Sequence, residues 1–212
     1  MIHFLRGTDL ILQPNLAASM FRDRNVQFVE RLGWQLQVDQ NGFERDEYDD
    51  LNPVYVIIEN EDGLHDASLR LMPTTGRTMI NEYFLGALGG HAIRRTNTWE
   101  CTRFCISPAA DRSLAIELLA ATGRLMCELQ IAHLVAVYDR QMRIQYRRSN
   151  TSPTQLGWVM TPEGPVYAGL WSFSEEKLNN LSCRSQIYGT TVELSLANSP
   201  LMASPSMAAA YT

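Results

Sequence analysis

A ten-residue run, T-W-E-C-T-R-F-C-I-S over Thr98–Ser107, constrains this chain more than any other stretch. It is aromatic, β-branched and apolar enough for an interior strand. Yet it carries Glu100 and Arg103, and buried charges need partners. Side chains alternate across a strand, so these two would face opposite ways. One extra residue in the strand, a β-bulge, would bring both to one face, and bulges are common beside active sites. A structural ion pair at a strand end accounts for the same residues equally well. The rest of the chain decides between the two.

The 212 residues suffice for one largish domain with a real core. With 45% hydrophobic and 19% charged residues the chain is neither disordered nor fibrous. A net charge of −5 argues against a general nucleic-acid binder. No apolar run approaches the ~20 residues of a membrane span, and Met1–Arg6 alternates like a strand rather than a secretory leader. Cys101, Cys105, Cys127 and Cys183 show no CxxC spacing, and His3, His65, His91 and His133 are scattered. The expectation is a reduced, cytoplasmic protein with no metal site and no membrane or nucleic-acid partner.

Met1–Leu5 reads as a first strand. Pro14 opens a helix that runs through Leu16, Met20, Phe21, Arg24 and Phe28 to a stop at Gly33. Trp34–Leu51 has no clean period and ends in the acidic run E-R-D-E-Y-D-D, from which Asp46 or Asp49 could turn inward. Val54–Glu59 and His65–Met72 are strands around an Asp62–Gly63 turn, the second carrying Arg70. A short helix is expected around Met79–Leu88. After the focal strand, Ser113 to about Gln130 is helical, with Leu118, Leu125 and Met126 inward and Glu117, Arg124 and Glu128 on the wet side. Ile131–Tyr138 is a buried strand. Asp139 caps a helix that presents Arg140, Arg143 and Arg147 on one side with Arg148 beside them. Leu156–Met160 and Val166–Phe173 are late strands, and Ser174–Ile187 is a last amphipathic helix. From Gly189 a Ser/Ala/Met-rich tail shows no period. This order gives an α/β sandwich with a mixed sheet, one domain over 1–188 followed by the 189–212 tail. GxGxxG after a strand, Walker A and G-x-S-x-G are all absent, so no dinucleotide fold or serine nucleophile is signalled.

Arg24, Phe28 and Trp34, then Asp46 and Asp49, Arg70 in L-R-L-M-P-T-T-G, Phe84, and Glu100 and Arg103 in W-E-C-T-R-F together resemble the signature of the LuxI-type acyl-homoserine lactone synthases. The likeness is strong over roughly residues 1–135 and loose beyond. It implies a fold related to the GNAT acyltransferases, a three-layer αβα sandwich whose central mixed sheet is splayed. It also implies S-adenosylmethionine as a substrate rather than a resident cofactor, acyl-carrier-protein or acyl-CoA thioesters as donors, and a quorum-sensing lactone as product. Arg77, where the family often has proline, Ser149-Asn150-Thr151 in place of Ala-Gly-Trp, and Tyr138, where many 3-oxo-accepting members carry threonine, depart from the pattern. They bear on acyl preference rather than on the core chemistry.

Under this resemblance Glu100 is the carboxylate that receives the amine proton, and a freed backbone N–H near Arg103–Phe104 donates to the oxyanion. Arg24, Arg70 and Arg103 balance Asp46, Asp49 and Glu100 in a buried network, which is tolerable only when nearly every member is matched. Pure architecture, holding the Trp34–Leu51 loop to the sheet, explains Asp49 and Arg70 as well. Phe28, Trp34 and Phe84, with Arg103, are expected around the sulfonium substrate, though each could be core. Phe104, Ile106, Leu119, Met126, Tyr138 and Met142 are candidates for the acyl wall. Arg140, Arg143, Arg147 and Arg148 are either a solvated face or a dock for an acidic carrier protein or CoA phosphates. Two other functions stay open: a GNAT-like N-acyltransferase acting on another amine, and a non-catalytic ligand-binding relative.

Overall fold

The computed structural model describes residues 1–173 and 189–203; the helix expected over Ser174–Ile187 lies outside them. Seven strands form one sheet: β1 (Ile2–Arg6), β2 (Val54–Glu59), β3 (His65–Pro73), β4 (Thr98–Ile106), β5 (His133–Tyr138), β6 (Thr154–Thr161) and β7 (Gly164–Ser172). Their spatial order is β1-β2-β3-β4-β5-β7-β6. All neighbours are antiparallel except β4 and β5. That parallel pair is joined only from Thr98 opposite His133 to Glu100 opposite Val135. Beyond Glu100 the two strands diverge, giving the splayed mixed sheet expected.

Helices cover both faces, which is why Val54–Ile58 can be apolar without interruption. On one face α3 (Leu114–Glu128) sets Leu118, Leu125 and Met126 against Phe4, Val56, Leu69, Leu71 and Trp99. On the other, α1 (Pro14–Arg24) sets Leu16, Met20 and Phe21 against Leu5, Tyr55 and Ile57. Pro14 occupies the first turn of α1 as expected, and the helix passes into a π-helical segment, Asn25–Arg31, before Gly33 ends it at φ +71°. The short helix α2 (Met79–Tyr83) and the 3-10 turn Leu85–Leu88 lie on the α1 face, where Ile80 and Ala87 pack with Val135 and Ala168. Asp139 caps α4 (Arg140–Arg148), accepting from Met142 N–H at 2.7 Å.

Two readings change. Glu117, expected on the wet side of α3, is buried at 3% exposure. The stretch after Gly189, expected to lack a period, forms α5 (Gly189–Ala197) and α6 (Pro200–Ala203). Val192, Leu196 and Leu201 enter the α3-side core, and the Ser199 hydroxyl donates to the Phe4 carbonyl. The cause is tertiary. One turn separates Val192 from Leu196, too short a stripe to read as a helix until β1 offers it a surface.

Candidate active site

β4 contains the bulge. Ser68 pairs with Cys105 but Arg70 with Thr102, so Arg103 and Phe104 together oppose Leu69. Arg103 takes φ +51°, in the left-handed region that side chains rarely enter. The extra residue resets the alternation. Glu100, Thr102 and Arg103 thereby share the α1 face with Arg70, whose Nε donates to the Thr102 hydroxyl at 3.0 Å.

On that face the three arginines meet the acidic loop. Arg24 donates through Nε to Glu44 at 2.7 Å and through both terminal nitrogens to Asp49 at 3.0 and 2.9 Å. Arg70 holds Asp46 at 2.9 Å and Asp49 at 2.8 Å. Arg103 reaches Glu44 at 2.9 Å and Asp46 at 2.7 Å. The Tyr55 hydroxyl adds a donor to Asp49. Burial opposes ionisation of Asp46 and Asp49, but Arg70 and Arg103 around the first and Arg24 and Arg70 around the second outweigh it. Both carboxyls stay below the usual range. Burial also works against the charge on Arg24 and Arg70, and their carboxylate partners more than restore it.

Glu44 is the partner that the sequence did not single out. It lies in the acidic run but beside Arg45, at a position that looks solvated, and its side chain is 1% exposed. Its backbone N–H bonds the Phe21 carbonyl at the end of α1, which turns the side chain inward. That long-range link had no local signal.

Glu100 belongs to the same face yet stands outside the ion-pair cluster. One carboxylate oxygen accepts from Met79 N–H at 3.0 Å and the other from Ile80 N–H at 2.6 Å. It therefore closes the N-terminus of α2 rather than pairing with Arg103, which corrects the three-plus-three network expected. Glu44 takes the third anionic place. With 0% exposure, Glu100 has its carboxyl pushed up to about 7 by burial, against the two amides and the Arg70 charge.

The aromatic residues divide. Phe28 and Trp34 stack at 5.2 Å and 7°, with Arg103 over Phe28 at 5.8 Å. Trp34 is 36% exposed whereas Phe28 is buried, so the stack reaches solvent through Trp34 at the edge of the charged cluster. Phe84 is half-buried against Ile80, Ala87 and Val135, the first of which donates its N–H to Glu100 and the last of which pairs with Glu100 across β4 and β5. Phe104, Ile106 and Met126 lie on the α3 face with the main core, Met126 fully enclosed. Tyr138 joins Tyr146 at 5.4 Å and Trp171 at 6.0 Å beside the splay. Leu119 and Met142 are half-buried on α3 and α4. Arg140, Arg147 and Arg148 are exposed, whereas Arg143 lies over Tyr167 at 4.7 Å. Arg77 is partnered by Glu82 at 2.7 and 2.9 Å.

A Ser–His–Asp chain also exists, with His65 bonding Asp23 at 2.7 Å and Ser68 at 2.9 Å. Ser68 is 1% exposed beneath α1, so it ties helix to sheet and offers no accessible nucleophile. No group of side chains among the described residues could hold a metal ion, and no described helix is long and apolar enough to cross a membrane.

Residues 9–157 match the family model described as autoinducer synthase. An acyl-homoserine-lactone synthase of Rhizobium etli is 38% identical over 169 residues, 76% of this chain and 79% of its own. The solved AHL synthase LasI has a TM-score of 0.70 at 26% identity, covering 80% of this chain and 87% of its own. The CoA-dependent acyl-homoserine lactone synthase BjaI, solved with SAM and isopentyl-CoA, has a TM-score of 0.78 at 22% identity, covering 93% and 99%, a likeness of fold.

Proposed function

Since the chain belongs to the autoinducer synthase family, we propose that it is an acyl-homoserine lactone synthase acting on S-adenosylmethionine and an acyl thioester. The observation that carries the mechanism is Glu100, a fully buried carboxylate whose proton affinity sits near neutrality on the face of the bulged strand. A general base works best with that affinity.

The substrate amine attacks the thioester carbonyl. Its proton passes to Glu100, the N–C bond forms, and the C–S bond breaks with its electron pair on sulfur. The departing thiolate then takes up the proton that Glu100 received, so the carrier leaves as its thiol and the base is restored. The bulge at Arg103–Phe104 frees backbone amide capacity for the oxyanion. In the second step a carboxylate oxygen of the same molecule attacks the carbon bearing the sulfonium. The C–S bond breaks with its electron pair on sulfur, and neutral methylthioadenosine leaves as the lactone closes. No covalent acyl-enzyme is needed. Arg103, Phe28 and Trp34 bind S-adenosylmethionine, the aromatic faces meeting the cation. Arg24, Arg70, Asp46, Asp49 and Glu44 hold the Trp34–Leu51 loop as the wall of that pocket. Phe84 supports α2 and so acts on the site through Glu100's amide donors.

The acyl chain lies in the splay between β4 and β5, against Phe104, Ile106, Leu119, Tyr138 and Met142, with Met126 enclosed in the core behind them. The arginines of α4 receive an acidic carrier protein or CoA phosphates. We assign the enzyme to the cytoplasm, in keeping with the free thiols of Cys101 and Cys105. The test is incubation with S-adenosylmethionine and a panel of acyl-carrier-protein and acyl-CoA thioesters, read by mass. Methylthioadenosine and lactone together are expected. Amide without methylthioadenosine would instead make the enzyme an N-acyltransferase of the broader GNAT type, and no product with any thioester would leave only ligand binding.

A further inference from the structure

Among the described residues, one buried side-chain polar atom has no hydrogen-bond partner: the hydroxyl of Thr78, at 0% exposure. A buried hydroxyl left unsatisfied is destabilising, and a valine of the same shape would avoid that loss. Other buried threonines conform to the rule. Thr74 donates to the carbonyls of Arg95 and Thr98, Thr102 accepts from Arg70, and Thr122 donates to the Leu118 carbonyl. Thr78 alone in this group makes no such bond.

Its position explains how the bond was lost. Thr78 is the N-cap residue of α2, with the extended backbone (φ −146°, ψ 147°) from which a threonine hydroxyl normally accepts a first-turn amide. Its carbonyl does its part, accepting from Glu82 N–H at 3.1 Å. The amides of Met79 and Ile80, however, are taken by Glu100 at 3.0 and 2.6 Å. The carboxylate from β4 thus occupies the Ile80 amide, one of the two that an N-cap hydroxyl serves, and the Thr78 hydroxyl makes no capping bond beside the two residues whose amides hold Glu100.

We propose that Thr78 is a positioning residue whose hydroxyl holds the water through which Glu100 takes the amine proton. This rests on the reading of Glu100 as the base. The hydroxyl can donate and accept at once, so it orients a water without changing its own protonation. The amine proton moves to the water oxygen as a water proton moves to Glu100. The sum is one proton from nitrogen to carboxylate.

The experiment compares Thr78→Val, Thr78→Ser and Glu100→Gln in the full chain, using S-adenosylmethionine and a thioester that supports turnover. Thr78→Val should lower kcat about tenfold to a hundredfold, with the KM for S-adenosylmethionine within about twofold and a Tm equal to or above that of the parent. Thr78→Ser, which keeps the hydroxyl, should recover kcat to within about threefold. The combination of slower turnover with undiminished stability is the signature that a packing role would not give. Parental kcat in Thr78→Val, or a loss in which Tm falls and serine rescues neither property, overturns the proposal. If Glu100→Gln acylates at the parental rate, the base reading itself fails. If Glu100→Gln is inactive while Thr78→Val is unaffected, Thr78 alone is ruled out.

Discussion

Arg103 holds φ +51° while its guanidinium bonds Glu44 and Asp46. The left-handed region costs a residue with a Cβ about 1–2 kcal/mol, so the ion pairs and the bulge must offset that strain. Two substitutions separate the effects. Arg103→Ala keeps the strain and strips the carboxylates of a cation, whereas Arg103→Gly strips them equally but relieves the backbone. Glycine should therefore be the more stable of the two by about 1 kcal/mol in denaturant unfolding, the reverse of the usual order, with both variants inactive. Glu100 gives a pH signature. Its carboxyl is raised by burial from 4.5 to about 7, so the folded state binds its proton more tightly than the unfolded chain does. Stability from this group is full below pH 4.5 and falls as pH rises through 7, a loss of about 3 kcal/mol by pH 8. Glu100→Gln should flatten that part of the stability–pH curve, measured by unfolding at several pH values. In the parent enzyme, kcat/KM should rise with pH through a limb near 7 as the base ionises. The Glu100–Arg103 pair was half legible in sequence. Two charges of odd separation in an apolar strand can share a face only through a bulge, and β4 has one. That Glu100 would bind α2 amides rather than Arg103 depends on where residues 74–80 return to the sheet, which no local pattern encodes.

At the scale of elements, β6 and the 3-10 turn Leu85–Leu88 approach so closely that only glycine fits. A Cβ at Gly157 would lie 2.3 Å from the Ala87 carbonyl oxygen, a rigid backbone atom. At Gly86 it would lie 2.8 Å from a Val159 methyl, which can turn away. Gly157→Ala should destabilise the protein by about 3 kcal/mol and Gly86→Ala by about 1, read as shifts in denaturant midpoint. Because this turn follows α2, Gly157→Ala should also lower kcat by loosening the amides that hold Glu100. Elements whose apolar residues span several turns or alternate strictly were readable: α3, β2, β3 and β5 lie within a few residues of their expected bounds, and α1 reaches its expected stop only through the π-helical segment Asn25–Arg31, a change of winding that the apolar pattern did not signal. α5 was not readable, since one Val192–Leu196 turn needs β1 to pack against. Phe84 shows the same limit. An aromatic between a short helix and a 3-10 turn suits a pocket wall or a core equally in sequence, and its packing with Val135 and Ala168 follows only from the β5–β7 pairing.

The whole molecule carries a net charge of −5, yet its charges are not evenly spent. Arg24, Arg70 and Arg103 are consumed inside by Glu44, Asp46 and Asp49, so they contribute almost nothing to the outer field. Arg140, Arg147 and Arg148 are exposed on α4, which follows β5 at the end where that strand has parted from β4. No ion pair among the described residues involves them, and this local positive field survives on an acidic protein. Arg143 is set apart by its position over Tyr167, where substitution would disturb packing as well as charge. The clean test thus reverses Arg147 and Arg148 to glutamate and leaves Arg143 in place. For a carrier-protein donor, the apparent KM should rise about tenfold at low ionic strength. The difference from the parent should shrink as salt approaches 0.5 M, because exposed charges beyond a Debye length of a few ångströms are screened. Turnover at saturating donor should hold, since neither residue touches the reacting atoms. A CoA donor, with fewer charges spread over a smaller area, should respond less. An unchanged KM with both donors would mean that these arginines are only a solvated face, and that the thioester reaches the splay from another side.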